Sequence, residues 1–460
     1  MTDLTDPVLA IDFGTSGTCA TLADGSRTRQ LCEPASGNWS WPSAVFIDGN
    51  LPRVGTLAVT HKRLAPADHR DELKRYLGQD TPLRLAGRGY RPTVLVTALL
   101  QSVRAEAERL NGGPLGRAVL TVPASYGPGD IRLTDLLAAA HAAGIPAPEV
   151  VPEPVAAAFA PLAGGPLPPG TTVLVHDFGG GTFDTAVVTI EEDSHQVLGH
   201  ATLDDCGGRD IDAAVVGYLR DVGGEGLRRL LDGPDEAADR ARMDLRDFAQ
   251  RLKHRLGAET TATDVFTPAE VLLTLDRQRL DTLVRPLLEQ TTDRCTELLR
   301  TVRSEHTATR PEAHPPPVVS VVVAVGGCSR LPGVSDHLAR TLRLPVRQAE
   351  DPQTAVSQGA AAWALRGTAG RAARRTPSLG PAQDRTPLSW ALPPGASTLL
   401  SWRVPQGARF TAGAVLAQVR APDGSLLDLT VTRAGTVTRF HAGVGDQVLS
   451  GDWLVTTTAG

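Results

Sequence analysis

The sequence predicts an α/β protein, with sheets covered by helices over most of its length and a small all-β unit at its end. Three observations support this. An apolar strand ending in Asp-Phe-Gly occurs twice, as Val8-Leu9-Ala10-Ile11-Asp12-Phe13-Gly14-Thr15-Ser16-Gly17 and as Val173-Leu174-Val175-His176-Asp177-Phe178-Gly179-Gly180-Gly181-Thr182, with the two aspartates 165 residues apart. Strand-like and helix-like segments alternate on both sides of the second copy. The tail changes to short strands separated by turn residues.

Each copy reads as a strand that reverses through small residues into a second strand. Glycines at the reversal let successive backbone N–H groups converge without obstruction by Cβ, forming an anion-binding concavity. Thr15, Ser16 and Thr182 add hydroxyl donors. Asp12 and Asp177 fall at strand ends, where a carboxylate beside bound phosphates is tolerable with a divalent cation between them, usually through water for magnesium. The pair reads as two phosphate-sized loops, each with one acid.

The remaining elements follow in order. Ser43 to Ile47 looks like a strand ending in the Asp48-Gly49-Asn50 turn, and Leu57 to Leu77 carries helical spacing broken by Pro66. Val94 to Leu110 is an amphipathic helix, Ala118 to Pro123 a strand, and about Asp130 to Ala143 a helix that stops at Gly144. Val150-Val151-Pro152-Glu153-Pro154 leads into an alanine-rich helix. Leu227 to Leu256 reads as one charged helix and Leu280 to Val302 as another. A proline-rich loop, Thr307 to Pro317, precedes Val318 to Val325, an apolar run that must be buried on both faces. Gly326-Gly327-Cys328-Ser329-Arg330 follows, and Ala355 to Leu365 resumes a helix. Residues 367–387 have no apolar period and read as a mobile linker, dividing a unit at 1–366 from one at 388–460. In the tail, Gly407 to Leu416 repeats as Gly445 to Leu454, 38 residues on, with the turn Asp423-Gly424 between them, which predicts a small two-fold β-sandwich.

Composition narrows the function classes. A chain of 460 residues is too long for one core. A net charge of −5 and an ordinary apolar fraction signal neither a nucleic-acid-binding stripe nor disorder. No run of about 18 apolar residues occurs and Met1 to Pro7 is acidic rather than a basic leader, so a cytoplasmic protein with no membrane partner is expected. Cysteines 19, 32, 206, 295 and 328 show no paired spacing and read as buried thiols. Lysine occurs only at 62, 74 and 253, against 43 arginines, which marks those positions as places for a compact ammonium.

With the two loops, Glu153 and the Gly-Gly-Cys-Ser-Arg segment in order, the chain resembles the nucleotide-binding domain of the heat shock protein 70 (DnaK-like) family, in the actin and sugar-kinase superfamily. The similarity runs from about Pro7 to Arg366. It is most specific in His176 to Asp184, nearly as specific in Ala118 to Pro123 with Val151 to Ala158, and Leu73-Lys74-Arg75-Tyr76-Leu77-Gly78 looks like the segment that holds the family's catalytic lysine. The resemblance implies a two-lobed actin-like (duplicated ribonuclease H-like) ATPase domain that binds ATP or ADP with Mg2+. It implies that Asp12 and Asp177 hold the magnesium through water, and that Thr15, Ser16, Gly179, Gly180, Gly181 and Thr182 hold the β- and γ-phosphates. Lys74 would lean on the γ-phosphate and the attacking water, with Glu153, Asp177 and Thr182 orienting that water. Lys62 competes for the role, but Leu77-Gly78 after Lys74 fits better. Gly326, Gly327 and Arg330 resemble the adenosine-binding turn, and Lys253 and His254 lie on the helix opposite the base. The chain departs from the family at Gln250, His254, Gly257 and Cys328, which implies weaker binding or altered base preference. No Gly-x-x-x-x-Gly-Lys-Ser/Thr segment exists.

After Arg366 the family's linker, peptide-binding sandwich and helical lid are not expected. The tail from Trp402 instead resembles a lipoyl or biotinyl carrier domain, the barrel-sandwich hybrid. Such carriers present a lysine at the turn that is Asp423-Gly424 here, and no lysine follows position 253, so covalent lipoate or biotin is excluded. The leading expectation is a slow chaperone-type ATPase whose partner is a protein client. The alternative is an ATP-switched adaptor that docks a dedicated partner through the β unit. A sugar kinase fits less well, because Glu153 with its proline neighbours stands where an aspartate base is needed.

Overall fold

A computed structural model describes residues 7–25, 27–127, 129–145, 148–191, 195–203, 205–309, 318–366, 385–390, 392–393, 397–440, 442–448 and 453–459. Most of the proposed linker and of the proline-rich loop lies outside the described residues.

The duplication extends far beyond the two turns. One sheet is ordered Arg27–Gln30, Gly17–Asp24, Val8–Phe13, Arg117–Val122, Glu149–Pro152, with Ser40–Pro42 added on Gly17–Asp24. The second is ordered His195–Leu203, Phe183–Ile190, Thr172–Phe178, Val319–Val325, Val346–Gln348. In both, the strand ending in Asp-Phe pairs antiparallel with the strand that follows it and parallel with a strand from much later in the chain. Each sheet is thus half hairpin, half crossover, and helices cover the parallel side as such connections require.

Burial on both faces explains the apolar runs. Leu9, Ile11 and Phe13 pack outward with helices Pro92–Asn111 and Ile131–Ala142, while Val8 and Ala10 face the other sheet. Leu174, Phe178 and Phe183 pack outward with Gly208–Val222, Glu236–Arg255 and Arg277–Thr309, while Val173 and Val175 face inward. Between the sheets lie Glu153–Ala158 and Ala355–Leu365, the helices that follow the last parallel strand of each lobe. Their alanines let the backbones approach so closely that a Cβ on Gly359 would overlap the Ala156 carbonyl.

Several expected elements differ. Leu57 to Leu77 is not one broken helix: Thr56–His61 is helical, Pro66–Asp68 and Leu73–Tyr76 are 3-10 turns, and His69–Arg70 pairs as a strand with Val45–Asp48. Leu227 to Leu256 is two helices, Gly224–Asp232 and Glu236–Arg255, parted at Gly233-Pro234 because the residue before proline is pushed out of helical geometry. Cys32 is exposed, whereas the other four thiols are buried.

The C-terminal region is β-rich. Arg385–Ser389, Trp453–Ala459, Gly435–Phe440 and Arg409–Phe410 form one four-stranded sheet. Leu426–Thr430, Val415–Arg420, Ser397–Trp402 and Gln447–Val448 form the other. A two-fold exchange of the first four strands with the last four turns either sheet order into the other. Trp402 and Phe440, 38 residues apart like the sequence repeat, stack with ring centroids 4.1 Å apart. Arg385 to Pro387, read from sequence as linker, belong to this unit: they pair with Trp453–Ala459 at a sheet edge, where a proline is tolerated.

Candidate functional site

The two Asp-Phe-Gly turns face each other across a cleft floored by acids. Asp12 ends one central strand and accepts a hydrogen bond from Thr121 Oγ1 at 2.8 Å, since the parallel register puts Thr121 beside it. Asp177 sits at the matching place, paired across its hairpin with Asp184, which accepts from Thr182 Oγ1 at 3.1 Å and Thr202 Oγ1 at 2.8 Å. Glu153 is buried at the start of its short helix, and Lys74 Nζ, equally buried, lies 2.6 Å from its Oε1. Burial, reinforced by Asp12 and Asp184, pushes the Glu153 carboxyl up to about 7 against the pull of Lys74. Burial and the charges of Glu153, Asp184 and Asp12 hold Asp177 well above the usual carboxylate range. Burial raises Asp12 as well, opposed by Lys74 and Thr121. For Lys74, burial works against the charge, but Glu153 and Asp12 outweigh it and raise its pKa. Four carboxyl groups sharing one ammonium in a poorly hydrated place, with Asp12, Glu153 and Asp177 all raised by burial, form a donor set of hard oxygens that fits a divalent cation such as magnesium, whose charge would favour their ionised forms.

Above the acids, the second loop is held from behind. Gly179 O accepts from Gly208 N at 3.1 Å and from the Cys328 thiol at 3.2 Å, Gly180 O from Arg209 N at 2.8 Å, and Gly181 O from Arg75 Nη2 at 3.2 Å. Gly208 and Arg209 begin helix Gly208–Val222, so its otherwise orphaned N–H groups are spent on the loop's carbonyls. In a trans peptide the N–H points opposite to the preceding C=O, and no cis bond occurs among the described residues. Tying back three consecutive carbonyls therefore turns the N–H groups of Gly180, Gly181 and Thr182 the other way. None of these three donates to a protein acceptor among the described residues. The first loop is treated similarly: Ser43 Oγ donates to Gly14 O at 2.8 Å and Ser43 N to Ser16 O at 3.1 Å. The loops touch, for a Cβ on Gly181 would lie 2.9 Å from Thr15 Cγ2, and one on Gly180 would lie 2.7 Å from Ser16 Cβ.

The other expected site residues separate into two groups. Gly326, at φ 82°, is a required glycine: a Cβ there would overlap Asp177 Oδ1 and the Phe178 backbone. Gly327 and Arg330 are exposed at the ends of the 3-10 turn that follows, with open space around the Gly327 Cα. Lys253, in contrast, is buried and directed to protein groups, with Asp212 Oδ1 at 2.6 Å and Gly208 O at 3.4 Å. His254 is exposed near Arg330, and packing around its ring, with the Lys253 charge, lowers its pKa. All three lysines make ion pairs: Lys62 Nζ lies 2.9 Å from Asp247, which ties the first lobe to helix Glu236–Arg255 and keeps Lys62 away from the acids. Thr121, Ser43, Arg75 and Arg209 were not singled out as site residues from sequence. Of these, only Thr121 follows from strand register. The others act through backbone carbonyls distant in sequence, which no local pattern reveals.

Among the described residues no helix is long and apolar enough to cross a membrane. The family model described as Hsp70 protein matches residues 81–370, well over half of the chain. The match covers the second loop, Glu153 and the Gly326 turn, while the first loop and Lys74 lie before it and enter the site through the repeated sheet. With a duplicated α/β fold and two Asp-Phe-Gly turns facing one cleft, the chain belongs to the Hsp70 protein family, a family of ATP-binding, chaperone-type proteins.

Proposed function

We propose that this chain is a magnesium-dependent ATPase of the chaperone type, whose lobes close around the nucleotide phosphates. The observation that carries it is the second loop, with three carbonyls tied back and three N–H groups in sequence turned free beside an acidic floor. Such a concavity suits a polyphosphate. Thr15 and Ser16 supply donors from the first loop, and Gly179, Gly180, Gly181 and Thr182 supply the second. Asp12 and Asp177, the acids at the two strand ends, would hold magnesium, usually through water for this ion. Bound magnesium neutralises phosphate oxygen charge. Glu153, with Asp177 and Thr182, orients a water, and Lys74 places its ammonium where charge develops on the transferred group. Gly326, Gly327, Arg330 and His254 form the adenosine side, and Lys253 acts indirectly by bracing Gly208 behind the loop.

The C-terminal unit is a barrel-sandwich hybrid of the lipoyl or biotinyl carrier kind, serving as a docking module for a protein partner. Its two cores around Leu399 and Val437 and its two-fold strand exchange support this reading.

Phosphate release tests the proposal. The full chain with Mg-ATP is expected to turn over slowly, and Thr182→Ala to reduce the rate at least about tenfold, the scale of one aligned catalytic group. A Thr182→Ala rate equal to the parent's contradicts the assignment.

A further inference from the structure

We infer that Arg75 is a positioning residue that lends the first lobe's control to the second lobe's phosphate loop, so that preference for ATP over ADP depends on lobe closure. The inference rests on the reading of this cleft as a nucleotide site. Of the three carbonyls tied back in the second loop, two are held from within their own lobe, by Gly208 N with the Cys328 thiol and by Arg209 N. The third, Gly181 O, is held by a side chain from the opposite lobe, Arg75 Nη2 at 3.2 Å. The Gly181–Thr182 peptide is therefore fixed only while the lobes are together, and its N–H is the last of the three turned into the site.

Arg75 is itself aimed. Glu72 adopts a left-handed conformation, φ 53°, at the start of the 3-10 turn Leu73–Tyr76, a strained choice for a residue other than glycine. That turn sends Lys74 inward to Glu153 and Arg75 across the cleft. Glu72 Oε2 then lies 3.4 Å from Arg75 and 2.8 Å from Arg209, while Asp205 Oδ1 lies 3.5 Å from Arg75 and 3.1 Å from Arg209. Two acids and two guanidiniums thus bridge the lobes, but within this quartet only the Arg75 side chain reaches the loop. The Arg209 contact with the loop is through its main chain, which substitution leaves in place. Thr182 stands at the Lys74 and Glu153 end of the cleft through its bond to Asp184, whose charge acts on Glu153. The peptide that Arg75 fixes therefore serves the terminal phosphate, which ADP lacks.

Dissociation constants for Mg-ATP and Mg-ADP, measured on the full chain, separate this role from a simple latch. Arg75→Ala is expected to cut the parent's ATP-over-ADP preference about tenfold, the scale of one charge-assisted hydrogen bond, and Arg75→Lys to restore part of it. Arg209→Ala breaks the same ion-pair quartet and is expected to change the preference by less than about twofold. If Arg75→Ala loses its native near-ultraviolet spectrum, Arg75→Met, of similar length without a donor, is expected to show the same fall. An unchanged preference in the folded Arg75 variant, or an equal fall in Arg209→Ala, overturns the inference while leaving the site reading intact. A parent that binds neither nucleotide overturns both.

Discussion

Replacing Lys74 with alanine is expected to slow single-turnover ATP hydrolysis at least a hundredfold, on the order of what removing one preorganised donor costs, while Mg-ATP binding changes by less than about tenfold. Lys74 is the one ammonium among Asp12, Glu153, Asp177 and Asp184, and its Nζ lies 2.6 Å from Glu153. Without it, Glu153 faces only like charge, and a carboxyl already pushed up to about 7 takes a proton near neutral pH. The variant thus loses both the cation and the carboxylate that orients water. Lys62→Ala is the matched control: Lys62 pairs with Asp247 away from the acids, so hydrolysis in a single turnover is expected to stay within about threefold of the parent. Parental hydrolysis by Lys74→Ala, or a larger loss in Lys62→Ala, contradicts the assignment.

Gly180→Ala is expected to block closure of the cleft and to reduce Mg-ATP affinity by about tenfold to a hundredfold, the scale of a 1–3 kcal/mol steric penalty. The added Cβ would overlap Ser16 Oγ and lie 2.7 Å from Ser16 Cβ. A rotamer change at Ser16 moves the hydroxyl but not the Cβ, so the two loops must separate. A double-mutant cycle tests the mechanism. In a Ser16→Gly background the cost of Gly180→Ala is expected to disappear, and in a Ser16→Ala background to persist. Equal cost in all three backgrounds places the defect within the second loop rather than between the lobes.

The duplicated turn was legible because Asp-Phe-Gly needs the same few residue types wherever it occurs. The duplicated sheets were implied only by the family resemblance, since the strands Arg117–Val122 and Val319–Val325 share only apolar character and match in place, not in sequence. Lys74 and Glu153 were readable through the motifs around them, but their 2.6 Å contact joins segments 79 residues apart. The loop contacts of Arg75 and Ser43 left no signal, because a side chain that holds a distant carbonyl needs no particular neighbours, and that of Arg209 left none because it is made by the main chain. The helical reading of Leu57 to Leu77 failed because Leu73 and Leu77 keep a four-residue spacing across a 3-10 turn. In the tail, the 38-residue repeat was legible from its glycines, whereas Arg385–Ser389, an edge strand containing Pro387, lacks the alternation that marks a strand.

The central claim is that the two turns and their aspartates form one magnesium-nucleotide clamp. Calorimetric titration of Mg-ATP into the full chain, beside Asp177→Ala, tests it most directly. Saturable binding at one site per chain is expected in the parent, weakened at least about tenfold in Asp177→Ala and by omission of magnesium. Absence of binding in the parent, or equal affinity in Asp177→Ala, contradicts it.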